Sequence, residues 1–249
     1  MKVTLTEPKY LKDSIGIISE LVTETQISVS STGLTIIATD PANVAMVVFK
    51  LLSSCFSEYE ISDSLQLGIN LNNWKQILKR VESSDIVTLE TNEEEASQLH
   101  ITVKGKTTRR FTVPILETDT KEQKEPNLSF TTKITLPTST FGSAIDDADI
   151  VADSVALVTN KDTVTVAAEG DLNKVEVDIT GEDVLIENSS ADVVRSKYSI
   201  EYLKKMIAGS KISSELQLEY SQRYPLRLNF VVVDKMSLGF VLAPRVEEN

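Results

Sequence analysis

Residues Ile115–Leu128 read ILETDTKEQKEPNL, and between Glu117 and Asn127 they contain no aliphatic or aromatic side chain. Asp, Thr, Lys, Gln and Pro cannot bury enough apolar surface to offset the entropy of ordering them, so the stretch reads as an exposed connector. Its flanks match each other at a constant offset of 129 residues: Leu71 with Ile200, Trp74 with Leu203, Ile77 with Met206 and Leu78 with Ile207. Val22 and Val151, Val29 and Val158, Leu89 and Leu218, and Phe111 and Phe240 keep the same offset. Chance patterning does not hold one spacing over so much of a chain, so the sequence predicts two copies of one domain. Residues 1–116 form the first, 128–249 the second, and 117–127 join them.

With 249 residues and 41% hydrophobic content, each copy has enough apolar material for a core of its own. The net charge of −12 argues at first sight against nucleic acid, whose phosphates are bound by Lys and Arg. A single Cys, Cys55, excludes a disulfide within the chain and suits a reducing interior. No signal-like or membrane-spanning apolar run is present, so a soluble intracellular protein with no membrane partner is expected. On that reading the sequons at Asn127 and Asn188 are coincidental.

Periodicity sets out the elements. A strand over Lys2–Leu5 is followed by a helix from about Pro8 to Val22, with Leu11, Ile15, Ile18 and Val22 inward and Lys12, Gly16 and Ser19 outward. From Ile27 to Lys50 the period is two, punctuated by Thr32-Gly33 and Asp40-Pro41. After a strand over Leu65–Ile69, Asn72 or Asn73 is expected to cap a second helix with Trp74, Ile77, Leu78 and Val81 inward and Lys75, Gln76, Lys79 and Arg80 outward. Strands follow over Ile86–Glu90, Leu99–Val103 and Thr107–Leu116. The second copy repeats the plan: a strand over Ser129–Leu136, a helix burying Phe141, Ala144, Ile145 and Ala148, and strands over Ser154–Val158, Thr163–Ala168 and Lys174–Thr180. A fourth helix is capped at Ser199, buries Ile200, Leu203 and Ile207 and stops at Gly209. Strands over Glu215–Tyr220, Leu226–Val233 and Ser237–Leu242 close the copy. Each half is an α+β layer arrangement with two helices covering one face of antiparallel sheet.

Candidates for chemistry are few. His100, the only His, sits in an alternating strand, and one His with one Cys leaves most triads and zinc sites unavailable. Gly105-Lys106-Thr107 imitates the end of a phosphate loop, but His100 occupies the place of its first Gly, so a hairpin turn is the better reading. Asp146, Asp147, Asp149 and Asp153 follow a helical pattern without the central Gly of a calcium loop and read as a solvated face. No catalytic residue, metal or cofactor is assigned. Charge distribution is more informative. Lys104, Lys106, Arg109 and Arg110 crowd one strand, whereas Glu176, Asp178, Glu182 and Asp183 crowd Lys174–Thr180. If both strands are sheet edges, copies could pair head to tail into a ring or filament; the plainer reading is two edges protected by charge.

The duplicated domain, the loop Thr39-Asp40-Pro41-Ala42-Asn43-Val44, the helix NWKQILKR over Asn73–Arg80, Phe111-Thr112-Val113-Pro114 before the connector and the ending Leu242-Ala243-Pro244-Arg245-Val246-Glu247-Glu248 resemble the proliferating cell nuclear antigen family of sliding clamps in its archaeal or eukaryotic form. The resemblance covers essentially the whole chain. It implies a ring of three two-domain subunits, homomeric or built with paralogues, with sheets outside and helices lining a hole for double-stranded DNA, and no enzymatic activity. It would work with replicating DNA, in the cytoplasm of an archaeon or the nucleus of a eukaryote. In that picture acidic charge lies outside and Lys12, Lys75, Lys79, Arg80, Lys204, Lys205 and Lys211 face the phosphates.

The same resemblance implies subunit contacts through Lys106, Arg109 and Arg110 against Val175, Glu176, Val177 and Asp178. It implies a clamp loader, and docking of polymerase, flap nuclease and ligase through PIP-motif peptides of the Gln-x-x-Leu-x-x-Phe-Phe kind. The pocket would be Thr39, Asn43, Val44, Met46, Gln123, Pro126, Pro225, Val241, Ala243, Pro244 and Arg245. Two departures stand out. The connector has Gln123, Lys124 and Glu125 where the family commonly has aliphatic residues, and the third helix is acidic where the family is basic. The alternative reading is a clamp-fold adaptor of checkpoint type, without processivity of its own.

Overall fold

A computed structural model of the chain describes residues 1–91, 97–117, 123–190 and 192–246. The chain separates into two compact units, Met1–Pro41 with Val47–Glu125 and Val232–Leu238, and Ala42–Met46 with Pro126–Val231 and Gly239–Asn249.

The first copy of the repeat runs β1 (Lys2–Leu5), α1 (Lys9–Ile18), β2 (Glu24–Ser30), β3 (Gly33–Thr39), β4 (Ala45–Leu52), β5 (Glu58–Glu60), β6 (Leu65–Asn70), α2 (Leu71–Lys79), β7 (Ile86–Glu90), β8 (Gln98–Lys104) and β9 (Thr108–Pro114). The second runs β10 (Thr132–Pro137), α3 (Thr138–Asp149), β11 (Ser154–Thr159), β12 (Val164–Glu169), β13 (Lys174–Ile179), β14 (Leu185–Asn188), β15 (Val194–Ser199), α4 (Ile200–Ile207), β16 (Glu215–Tyr220), β17 (Leu226–Val232) and β18 (Met236–Leu242). The 129-residue offset carries β6 onto β15 and the start of β7 onto that of β16, and it superimposes α1 on α3 and α2 on α4. Strand orders match as well: β5-β1-β7-β8-β9 and β6-β2-β3-β4 in the first copy, β14-β10-β16-β17-β18 and β15-β11-β12-β13 in the second. The α+β duplication is therefore present strand for strand.

Each unit has its own core. In the first, Leu11, Ile15 and Ile18 of α1 and Trp74 and Leu78 of α2 pack with Val3, Leu89 and Ile101, all within 2% of complete burial. Each such side chain contributes roughly 1.5–3 kcal/mol relative to exposure. In the second, Phe141, Leu203 and Met206 are fully buried, as are Phe230 and Phe240, whose rings meet edge on at 6.4 Å.

Several expected details differ. The first helix ends at Ile18, and Ser19–Leu21 turn away from the axis while Val22 stays buried. The cap of α2 is Asn70, whose side chain accepts the Asn73 N–H at 3.1 Å; Asn72 and Asn73 lie exposed in the first turn. Ser199 stands at the N-cap position of α4, but its side chain makes no capping bond. In α4 Met206 is the buried residue and Ile207 is only half-buried, because the helix starts with Ile200 facing inward and three-residue steps reach Leu203 and Met206. Gly209 does not stop a helix in a left-handed cap. It sits in the short 3-10 segment Ala208–Lys211, and a β-carbon there would lie 2.3 Å from the Phe230 ring. Sequence periodicity does not reveal β5, β14 and β15, and β10 starts at Thr132 instead of Ser129. In β15 the inward positions are Val194, Ser196 and Tyr198, and the polar Ser196 and Tyr198 hide the apolar alternation.

Of the connector, residues 118–122 lie outside the described residues. Gln123–Glu125 are exposed; Gln123 accepts from Thr39 Oγ1 at 2.9 Å and Glu125 meets Lys50 Nζ at 3.3 Å.

Gly33 opens β3 at φ 138°, and an added β-carbon would stand 2.0 Å from the Leu51 carbonyl oxygen. Gly33→Ala should cost about 2–4 kcal/mol through backbone strain and displacement of β4. A urea titration should show the loss as a lower midpoint at unchanged slope.

Candidate functional site

Three surfaces gather the predicted residues. The first is the outward face of the helices. In the first copy α1 and α2 lie against each other, and their bases are Lys9, Lys12, Lys75 and Lys79, followed by Arg80. Lys12 is half-buried and donates to the Val81 carbonyl at 2.6 Å, which ties α1 to the end of α2. Lys75 pairs with Glu20. Lys79 and Arg80 are exposed.

In the second copy α3 packs beside α4. The exposed positions of α3 include Ser143, Asp146, Asp147 and Asp149, with Ala144, Ile145 and Ala148 inward. Lys204 of α4 reaches across to Asp149 at 2.6 Å and Asp146 at 3.4 Å, and the hydrogen bond to Asp149 holds its ammonium pKa above the usual value. Lys205 pairs with Glu201 one turn earlier at 2.7 Å, an arrangement that also suits the helix dipole, and Lys211 is exposed. The second pair of helices thus carries more carboxylates than bases, whereas the first retains an excess of positive charge.

The second surface consists of two open sheet edges. β9 pairs with β8 and β13 with β12, and among the described residues no strand lies on the outer side of either. Strand alternation gives each edge two faces. On β9, Arg110 and Thr112 are exposed on one face while Phe111 and Val113 lie on the other. On β13, Glu176 and Asp178 are exposed, and Val175, Val177 and Ile179 take the opposite face. A cleft of about 580 Å³ opens beside β9, lined by Gln76 and Ile77 of α2, Arg80, and Arg110, Phe111 and Val113. Helical spacing predicts Ile77 inward, but it is half-buried and belongs to this cleft. Sequence reasoning gives Ile77 and Phe111 no functional role; only the side-by-side placement of α2 and β9 identifies them. Leu172, in the hairpin before β13, is 96% exposed.

Arg109 is the exception among the edge charges. Its side chain turns back to Asp85, 2.6 Å away and only 4% exposed, and donates to the Arg80 carbonyl at 2.9 Å. Asp85 in turn accepts the Glu82 N–H at 3.0 Å. Arg109 is therefore held within its own unit, and Lys106 and Arg110 remain as the exposed bases of this edge. Gly105-Lys106-Thr107 is the expected turn, closed by Gly105 N–H to the Thr107 carbonyl at 3.0 Å.

The third surface is the C-terminal segment. In the second unit Ala243 N–H donates to the Val44 carbonyl at 2.9 Å. Val44, Met46, Pro126, Pro225, Val241, Ala243 and Pro244 are all half-buried, so each presents part of an apolar side chain to solvent. Asn43 is exposed in the left-handed region at φ 57°, which Asn tolerates. Thr39 and Gln123 belong to the first unit, where they are bonded to each other. Arg245 is exposed and pairs with Asp153 at 2.7 Å, and that hydrogen bond lowers the Asp153 pKa below the usual carboxylate range. Glu247–Asn249 lie outside the described residues. His100 sits on β8 beside Thr112 at 3.1 Å, and no group of three or more metal-ligating side chains is found among the described residues.

Comparison with known proteins places this geometry. Residues 1–123 match the model of the proliferating cell nuclear antigen N-terminal domain, and residues 124–245 that of its C-terminal domain. The chain is 35% identical over 241 residues to a DNA polymerase sliding clamp of Thermococcus gammatolerans, covering 96% of each. It is 32% identical over 241 residues to one from Pyrococcus furiosus, again 96% of each. A crystal structure of PCNA from Thermococcus kodakaraensis superimposes with a TM-score of 0.90 at 23% identity, over 98% of this chain and 99% of that one.

The Arg109–Asp85 pair separates folding from assembly. Arg109→Gln leaves a nearly buried carboxylate without its cation and should lower unfolding stability by about 2 kcal/mol. Arg110→Gln should change stability by less than about 0.5 kcal/mol. Chemical denaturation of the two variants measures both.

Proposed function

The chain belongs to the proliferating cell nuclear antigen family, and from that premise we propose that it is a DNA sliding clamp, copies of which close into a ring around duplex DNA. The observation that carries this reading is the pair of open edges. In the first unit Leu52 N–H donates to the Lys235 carbonyl and in the second Ala243 N–H reaches the Val44 carbonyl, so β4 and β18 run as neighbours. β4 and β18 are the repeat equivalents of β13 and β9. The pairing satisfied within the chain by one member of each duplicated pair is thus left open on the other, and a second copy of the chain can complete it. Pairing β9 with β13 would lay the basic stretch Lys106–Arg110 alongside the acidic Glu176–Asp178 and bring Phe111, with its neighbour Ile77, to the flank of β13. Such a contact is heterologous and closes into a ring when the rotation is right; the proposed number of subunits, taken from the family resemblance, is three.

Inside the ring the helix faces would meet the phosphates without reading sequence, which lets the clamp slide. Lys12, Lys75, Lys79, Arg80, Lys204, Lys205 and Lys211 are the proposed contacts, with the first helix pair dominant because Asp146 and Asp149 offset Lys204. The C-terminal segment from Val241 to Arg245, with Val44, Met46 and Pro225, would dock a polymerase and other replication proteins through short apolar peptides that add backbone pairing. A clamp loader, a flap nuclease and a ligase fit the same mode, and the work would be done within the cell, where DNA is replicated.

The purified chain alone should sediment with about three times its 27.5 kDa mass. Lys106→Glu with Arg110→Glu should return it to a single chain with an unchanged thermal midpoint. A wild-type monomer at micromolar concentration would sink the homomeric ring.

The acidic helix generates its own test. Asp146→Asn with Asp149→Asn releases Lys204, and the salt slope of DNA association should steepen by up to about 0.9 if the freed ammonium reaches one more phosphate. An unchanged slope in an intact ring would mean that Lys204 does not face DNA.

A further inference from the structure

In the second unit, next to the C-terminal segment, lies a cleft of about 200 Å³ lined by Arg195, Lys197, Arg223, Arg245, Pro244 and Val246, with Ser196 at its back. Four cations and no acidic side chain line it, in a chain whose net charge is −12. Strand alternation accounts for two of them. On β15, Val194, Ser196 and Tyr198 are buried, so Arg195 and Lys197 share the opposite face.

The other walls are laid onto β15 by backbone bonds. Arg223 N–H donates to the Arg195 carbonyl at 3.1 Å, and Arg195 N–H to Gln222 Oε1 at 2.6 Å. Arg245 N–H donates to the Lys197 carbonyl at 2.7 Å. From beneath, Ser196 Oγ and Tyr198 Oη donate to the Tyr224 carbonyl at 3.2 and 2.7 Å, fixing the loop that carries Arg223. Arg223 is held in the left-handed region at φ 51°, which costs free energy for a side chain of this kind. Asp153 engages Arg245 from outside the lining.

Asp153 offsets Arg245 in part, but the cations crowded beside it outnumber that single carboxylate, and an anionic occupant of the cleft is attracted by the remainder. Three guanidinium groups match a carboxylate geometrically, since each offers paired parallel donors. The cleft has room for one or two acidic side chains and is too small for a duplex. Its wall, Pro244–Val246, continues directly from Ala243, where the docking peptide is proposed to pair. We infer that this cleft binds carboxylates of acidic residues flanking a partner's docking peptide, so that preferred partners carry Asp or Glu next to their apolar anchors. The inference rests on the proposed docking reading for the source of the peptide, but the anion site itself does not.

The test uses the full chain and labelled peptides of the Gln-x-x-Leu-x-x-Phe-Phe kind, flanked at either end by Ser-Ser or by Glu-Glu, with binding read by fluorescence anisotropy. One Glu-Glu flank should tighten binding by roughly fivefold at low salt, the effect expected of a few partly exposed ion pairs. The difference should vanish at about 0.5 M salt, where the screening length is only a few ångströms. It should also vanish in Arg195→Gln with Arg223→Asn, a variant whose Asn suits the left-handed backbone and whose affinity for the Ser-Ser peptides is retained. Tightening that persists in that variant, or no tightening while the Ser-Ser peptides bind, overturns the inference. If the Ser-Ser peptides fail to bind, the docking reading falls, and tetraglutamate decides the cleft alone: amide shifts confined to Ser196, Arg223 and Arg245 sustain it, and their absence ends it. A single-stranded oligonucleotide of equal charge that displaces the acidic peptides more tightly than they bind would assign the cleft to nucleic acid and overturn the peptide proposal.

Discussion

A β-strand with one open side carries a row of backbone N–H and C=O groups that only water or another strand can satisfy. Among the described residues six strands end their sheets, β5, β6, β9, β13, β14 and β15, and of these β9 and β13 are the two whose repeat equivalents, β18 and β4, pair within the chain. On β9 Arg110 and Thr112 share one face and Arg109, Phe111 and Val113 the other; on β13 Lys174, Glu176 and Asp178 share one face and Val175, Val177 and Ile179 the other, so one edge is basic and the other carries net negative charge.

Electrostatics then divides the chain's labour. A net charge of −12 would repel DNA if spread evenly, yet bases are concentrated on a few surfaces: the α1 and α2 face, the β9 edge and the cleft beside the C-terminal segment. Carboxylates set how far each base can act at a distance. Lys204 is engaged by Asp149 and Asp146, and Arg109 by Asp85, whereas Lys79 and Arg110 project into solvent. A base engaged this way adds local structure and contributes little to the field beyond its partner. The two helix pairs, equivalent by descent, therefore differ in the attraction they can offer a phosphate backbone.

What the residues by themselves determined is the duplication, the helix-and-strand class of each copy and the identity of most inward positions. These follow from local periodicity and from a repeat offset that needs no knowledge of contacts. Local misreadings have local causes: Ser196 and Tyr198 are polar residues buried on hydrogen bonds to Tyr224, which erases the pattern of β15, and Asn70 caps α2 from the last position of a strand. Only the tertiary structure decided which charges are available. Asp85 stands 24 residues before Arg109, and Asp149 stands 55 before Lys204. Ile77 meets the flank of β9 and Arg223 the strand carrying Arg195 only once the sheets have formed. Coulomb energy and apolar contact depend on distance in space, and a sequence specifies distance only along the chain.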